Sequence, residues 1–482
     1  MGYKVGADKR QLLLLPVSLE EYVPEDHICR VIYAFTKMLD MTALGYKYSE
    51  CKETGCPPYD PRMMLNLYIY GYLHRVRSSR RLRDECKRNV EVMWLMDDLK
   101  PEDRAICNFR KDNTKALKGT FREFNRMCQE IGLYGGEIIA TDSVKIRANN
   151  SLDNNHNKTT VNNALSRIDK KIDEYLKALE ACDKEEAEAE AEQPSRAEIK
   201  VALERLKARK QAKEELKSRL ETESEISTVD PDARLMRSGG DGRKLNVRYN
   251  VHTAVDSANH LVVDFEVTTC ASDAGNLKTM TDKSMEVMEV TSLTNLADAG
   301  YYDSKDIVAC EESGITCLVA KPATGGPKKT EGFNREDFIY DREKDVYRCP
   351  CGQELEYKGN RRHISGREYR VYSDAQTCRK CNKKAECTSS EYREYLRLTC
   401  QDILDRVDER TRTNKGLYRK RQEIVEHCFG TIKAVWGYRQ FLCRTKEKVG
   451  SEMALTYMAY NIMRRFFNII TTDWAKIAAK LA

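Results

Sequence analysis

Hydrophobic positions recur every three or four residues through most of the first 130 residues, then change period. Helical spacing runs through Asp26-His-Ile-Cys-Arg-Val-Ile-Tyr-Ala-Phe after an Asp suited to capping, and through Arg62-Met-Met-Leu-Asn-Leu-Tyr-Ile-Tyr after Pro61, which suits a first turn. Gln11 to Pro16 reads as an extended apolar entry, and Pro101-Glu-Asp starts a further helix. Over 131–161 the pattern shortens to a buried-looking strand, Gly135-Gly-Glu-Ile-Ile-Ala-Thr-Asp. Residues 162–225 carry two helical stripes, one through Leu165, Ile168, Ile172, Tyr175, Leu176 and Leu179 and one through Leu203, Leu206, Leu216 and Leu220, broken at Gln193-Pro-Ser. They predict an antiparallel helical hairpin.

Strand signals return at 244–255 and 260–268, joined by the turn-rich Asp256-Ser-Ala-Asn. A helix over 277–288, a strand over 293–298, a helix over 304–312 and a strand over 316–320 follow. The succession predicts a mixed α/β layer fold. A Gly/Pro/Lys-rich lead-in and a cysteine-rich segment interrupt it over 325–400, a long helix resumes near Thr413, and a last one runs over 451–469. The expected organisation is therefore 1–130 helical, 131–161 and 226–324 as two parts of one core, 162–225 and 325–400 as insertions, and 401–482 helical.

Length and composition narrow this. A chain of 482 residues calls for more than one domain. No apolar run reaches membrane-spanning length, and Leu12-Leu-Leu-Leu15 before Pro16 is too short for a signal peptide core, so a cytoplasmic protein without a membrane partner is expected. Its 18 cysteines then read as reduced thiols with one metal site rather than a disulfide framework. A net charge of +6 is mild, so placement matters more than the sum. Arg75, Arg77, Arg80 and Arg81 crowd around the turn Ser78-Ser79 between short helices, the pattern of a helix-turn-helix-like DNA module.

Three acidic stretches lie far apart: Thr-Asp142-Ser, Ala-Asp298-Ala-Gly-Tyr-Tyr and Ile-Val-Glu426-His-Cys-Phe-Gly-Thr-Ile-Lys433. The two aspartates are expected at strand ends, where α/β sheets collect functional side chains. Glu426 is expected on a helix, sharing a face with Gly430 and Lys433, with Glu423 one turn earlier as the rival. Three carboxylates at one spot need a cation, and hard oxygen ligands suit Mg²⁺ or Mn²⁺. Two such ions about 3.5–4 Å apart serve in-line attack on a phosphodiester. Lys145 and Arg147, alternating along the strand after Asp142, are candidates to hold a phosphate nearby. His427 reads as a packing or DNA-facing residue rather than a ligand, and Trp436 as a core residue.

The order and wording of these stretches resemble bacterial insertion-sequence DDE transposases, most closely the insertion sequence 1182 family within the group around insertion sequences 4 and 5. Gln11-Leu-Leu-Leu-Leu-Pro-Val-Ser-Leu-Glu-Glu-Tyr-Val-Pro, Tyr72-Leu-His-Arg-Val-Arg-Ser-Ser-Arg-Arg-Leu, Asp230-Pro-Asp-Ala-Arg-Leu-Met and Tyr249-Asn-Val-His-Thr-Ala-Val-Asp extend the resemblance over nearly the whole chain. It implies an RNase H-like catalytic core, with Asp142 on the first strand, Asp298 after the fourth and Glu426 on a late helix. It implies DNA cutting and joining at element ends, double-stranded DNA as partner and at least a dimer at work. The wider group carries Arg four residues before the Glu. Here Gln422 stands there and Arg421 comes one residue earlier, whereas Lys433 keeps its distance. A metal-dependent nuclease that does not join, or an inactive DNA-binding relative, are the alternatives.

Cys349, Cys351, Cys378, Cys381 and Cys387 fall in a short span that includes the pair Cys378-Arg-Lys-Cys381. Four thiolates from two loops bind Zn²⁺ tetrahedrally. The expected ligands are Cys349, Cys378, Cys381 and Cys387, with Cys351 as substitute.

Overall fold

The computed structural model describes residues 18–50, 57–184, 196–238, 244–322 and 332–466. The apolar entry at 11–16, the break at Gln193-Pro-Ser, the lead-in at 325–331 and the end of the last helix beyond 466 lie outside the described residues.

Six helices come first: α1 (Ile28–Met38), α2 (Pro61–Leu73), α3 (Ser79–Arg88), α4 (Val90–Leu95), α5 (Asp103–Asp112) and α6 (Thr114–Glu130). Asp60 caps α2 by accepting from the Arg62 amide at 2.7 Å, with Pro61 in the first turn as its fixed φ favours. The basic helix α3 and the turn before it pack closely on α2 because Gly71 has no side chain: a Cβ there would meet Leu82 Cδ2 of α3 at 2.5 Å and the Val76 carbonyl oxygen of the turn at 2.6 Å.

The sheet follows. Its strands are β1 (Ile138–Arg147), β4 (Arg234–Arg237), β5 (Leu245–Asp256), β6 (Val262–Thr268), β7 (Thr294–Ala297) and β8 (Thr316–Val319). Between β1 and β4 stand the short pair β2 (Asn155–His156) and β3 (Ile226–Ser227), which closes the base of the helical hairpin α7 (Lys158–Lys184) and α8 (Arg196–Arg219). The hairpin has its own small core of Val161, Leu165, Leu220 and Ile226. β5 pairs antiparallel with β1, β4 and β6, and β1, β7 and β8 run parallel, so the spatial order through the middle is β6-β5-β1-β7-β8. Helices α9 (Leu277–Met288) and α10 (Ser304–Glu312) make the crossovers into β7 and β8.

The cysteine-rich segment, expected only as an interruption, is a second sheet. It comprises β9 (Ile339–Asp341), β10 (Val346–Arg348), β11 (Glu354–Ile364), β12 (Arg367–Ser373) and β13 (Glu394–Leu398), antiparallel throughout, with the short helices α11 (Ala375–Arg379) and α12 (Lys384–Cys387) before β13. Three helices close the described chain: α13 (Gln401–Thr413), α14 (Lys415–Gly430) and α15 (Lys446–Asn461). The long helix expected from about Thr413 is α14, which begins at Lys415, with the separate helix α13 ahead of it across Asn414.

The first six helices share one contiguous hydrophobic core with the large sheet, α14 and α15. Every residue from Val449 to Asn461 is buried, so α15 is a central rod rather than an amphipathic cover. Phe121, Phe265 and Tyr457 meet edge to face or tilted across it. Among the described residues, no helix is long and apolar enough to cross a membrane.

Candidate active site

Asp142 is not at a strand end. β1 continues to Arg147, because its antiparallel partner β5 accompanies it residue by residue from Ile139↔Asp256 to Arg147↔Arg248. What ends is the parallel partner: the β1–β7 pairing stops at Thr141↔Ala297. Asp142 and Asp298 are the next residues on adjacent strands, and that register brings two carboxylates 156 positions apart in sequence to one spot. Asp298 turns sharply out of β7, its Oδ1 accepting from the Gly300 amide at 2.9 Å.

The spot is half-buried and negative. Burial pushes the Asp142 carboxyl up to about 6, and the neighbouring Asp298 charge adds to this. The Ser143 amide and Arg421 pull the other way without cancelling it. Asp142 Oδ1 accepts from the Ser143 amide at 2.7 Å and Oδ2 from Arg421 Nη1 at 2.9 Å. Arg421 projects from α14, which lies over β1, β5 and β7, and one turn earlier Tyr418 Oη donates to the Ala297 carbonyl at 3.2 Å. Tyr418 and Arg421 therefore clamp α14 over the two strand positions that carry the aspartates.

A third carboxylate beside this pair has no sequence signal of its own. Asp273 lies in the turn-rich Ser-Asp-Ala-Gly between β6 and α9 and reads as a loop residue. A Cβ on Gly300 would sit 2.9 Å from Asp273 Oδ2 and 3.0 Å from Asp298 Oδ1, so these oxygens lie within about 6 Å of each other. Asn250 Nδ2 donates to Asp273 at 2.8 Å. Behind it, His252 is fully buried, with Nδ1 2.7 Å from Tyr301 Oη and Nε2 3.1 Å from Thr268 Oγ1. Burial pushes its imidazole below the ordinary range, so it is neutral at pH 7.

Glu426 lies on the exposed side of α14, five residues beyond Arg421 and one turn past the exposed Glu423. The ligand atoms of Asp142, Asp298 and Glu426 are not all within 4.8 Å of one another. The helical face expected for Glu426, Gly430 and Lys433 is altered, because residues Thr431–Val435 form a widened π turn. The extra residue per turn rotates Lys433 away from the stripe of a regular helix. Trp436 packs partly buried against the core, and His427 is exposed with its ring 6.0 Å from that of His260.

The basic residues divide. Arg75, Arg80 and Arg81 are exposed around the start of α3, Arg80 with Asp103 at 3.8 Å. Arg77 instead turns inward: its Nη1 meets Glu452 Oε1 at 3.2 Å, and its guanidinium lies 4.1 Å over the Tyr438 ring. Strand alternation puts Lys145 and Arg147 on the opposite face of β1 from Asp142. Lys145 acts electrostatically on His252, and the Arg147 backbone bonds to the segment around Gln440. The five cysteines of the small sheet line a single cavity.

Comparison with known proteins bears on both ends of the chain. Residues 17–112 match a family model described as Transposase domain (DUF772), and residues 348–466 match one described as Transposase DDE domain. No curated protein and no solved structure matches. The two matches support a DNA-processing transposase and imply binding to DNA and dependence on a divalent metal.

Proposed function

We propose that a transposase of the insertion sequence 1182 type, cutting and joining DNA at its element's ends, is the reading these domains and this site support best. The observation that carries it is the register Thr141↔Ala297, which brings Asp142 and Asp298 side by side at a half-buried spot with more negative than positive charge. The order β6-β5-β1-β7-β8, antiparallel on one side of β1 and parallel on the other, supports an RNase H-like core. On that reading α7 and α8 are an insertion after the first strand, and the small sheet is an insertion after the fifth.

The donor set suits Mg²⁺ or Mn²⁺: all-oxygen, anionic and partly desolvated, with Asp273 adding negative charge on the Asp298 side. Asp142, Asp298 and Glu426 would hold the ions, which when bound supply activation of the attacking oxygen and stabilisation of the leaving one. Arg421 balances Asp142 from α14 and stands where it can hold a phosphate oxygen once cations take over that balance. Lys433, beyond the end of α14, is a further candidate DNA contact. Arg75, Arg80 and Arg81 form the proposed DNA-facing edge of the helical region, with Lys145 a second contact on the other face of β1. No covalent enzyme intermediate is needed, and pairing of two ends requires at least a dimer on DNA.

The test is strand cleavage of DNA carrying the element's flanking ends, with Mg²⁺ or Mn²⁺. Metal-dependent nicking followed by joined products, absent in Asp298→Ala, is the expected result. Nicking without joining would reduce the protein to a nuclease. Equal DNA binding by both proteins with no cleavage under either metal would make it a DNA-binding derivative.

A further inference from the structure

The small sheet has little core of its own. One cluster of four buried side chains, Phe338, Tyr347, Leu355 and Tyr372, with Val346 and Val371 also buried, serves five strands. Cores of that size need a staple. Five cysteines converge beside it from three separate places: Cys349 and Cys351 from the β10–β11 turn, Cys378 and Cys381 from α11 and the turn after it, and Cys387 from the end of α12. Cys349, Cys378 and Cys387 pack directly on the four core residues.

The thiols are reduced, and one pair stands at ligand spacing, although no three of the five sulfurs lie mutually within 4.8 Å. Cys351 Sγ and Cys381 Sγ lie 3.9 Å apart, far beyond an S–S bond of about 2.05 Å. Sulfurs about 2.3 Å from a central zinc stand about 3.8 Å from each other, so this spacing is that of a tetrahedral edge. The β10–β11 turn is built as a knuckle. Gly352 takes φ +77°, its amide donates to the Cys349 carbonyl at 2.9 Å, and the Gln353 amide donates to Cys349 Sγ at 3.4 Å. An amide aimed at sulfur favours the thiolate.

We propose that these loops form a structural zinc site whose four ligands come from these five cysteines, with Cys351 and Cys381, the pair at ligand spacing, two of them. Four thiolates lining one cavity ionise together only beside a cation, and a tetrahedral all-sulfur set selects Zn²⁺. The ion ties α11 and the β10–β11 turn to one point. It thereby holds the sheet against α13, where Arg397 bridges Asp402 at 2.6 Å and Asp405 at 2.7 Å.

Metal content of the full chain, purified without chelator under reducing conditions, tests this by elemental mass spectrometry. About one zinc per chain is expected, as for a mononuclear closed site. Cys351→Ser and Cys381→Ser should each lose most of it. Should the serine variants fail to fold, thiol-reagent titration of the wild-type chain serves instead: zinc should protect four more thiols than the chelated protein does, and Co²⁺ in its place should give thiolate charge-transfer absorption. A chain that stays zinc-free after Zn²⁺ incubation and desalting, or zinc indifferent to both Cys351→Ser and Cys381→Ser, overturns the site.

Discussion

Glu452 and Asp142 each meet an arginine, and their surroundings differ. Glu452, at the centre of α15, is fully buried and fully answered. Arg77 Nη1 and Tyr438 Oη reach one oxygen at 3.2 and 3.0 Å, and the Leu442 and Cys443 amides donate to the other at 3.0 and 2.8 Å. Asp142 has Arg421 and one amide, a second carboxylate beside it and a third just beyond. Glu452 is a tie: it joins the helical region, α15 and the 438–443 loop, and loss of any partner would strand a charge. Asp142 is left short of positive charge, and a group so placed calls for a cation from outside. One ion pair serves the fold and the other leaves room for chemistry.

The largest effect that can break this contrast is on catalysis. Asp142→Asn or Asp298→Asn should lower metal-dependent nicking by on the order of a thousandfold or more, since several kcal/mol of transition-state stabilisation go with the ions. Neither should lower the thermal midpoint of the metal-free protein, because each removes a like charge. A midpoint that falls in both would make the aspartates structural.

Next comes the tie. Arg77→Met strands Glu452 and should cost about 3 kcal/mol in denaturant titration, with nicking per folded molecule unchanged. Weakened DNA binding at unchanged stability would instead return Arg77 to the DNA-facing set.

The pH responses sharpen the comparison further. With the Asp142 carboxyl at about 6 when folded against 3.8 ordinarily, the native state holds its proton more tightly than the unfolded chain. Its contribution to metal-free stability is therefore full below about 4 and is lost as pH rises through 6, and Asp142→Asn should abolish that slope. Mn²⁺ binding should fade as pH drops through the same window. Arg421→Gln, which removes a cation at 2.9 Å, should move that fade upward by about one unit. An unmoved midpoint would mean that the pair does not govern the site.

The smallest effect expected is that of Tyr418→Phe. Removing its bond to the Ala297 carbonyl should cost about 1 kcal/mol. A loss of activity much larger than that stability change would assign Tyr418 a direct part in the site.

Local patterning carried far. The helices Leu277–Met288 and Ser304–Glu312 and the β5–β6 hairpin fall where periodicity and turn residues put them, because each buries one face of a regular element. Asp142 and Asp298 were legible as acids beside short apolar runs. The site they form was legible only in part. Asp273 carries no signal because a loop acid looks like any turn former, and the inward course of Arg77 depends on Glu452, 375 positions away. The five strands of the small sheet were missed because few of their positions alternate cleanly between buried and exposed: most of β11 is exposed and β12 is largely half-buried.

The sequence by itself determined which segments of the large sheet's region are helices and strands, and which acids and thiols have the chemistry that cations favour, since these follow from local spacing and side-chain type. Tertiary structure alone decided which acids meet, which arginine is a tie and which faces Asp142, and which thiols share a cavity. Those outcomes rest on strand register and on helix packing over the sheet, and both are set by burial summed across the whole core rather than by any one stretch of chain.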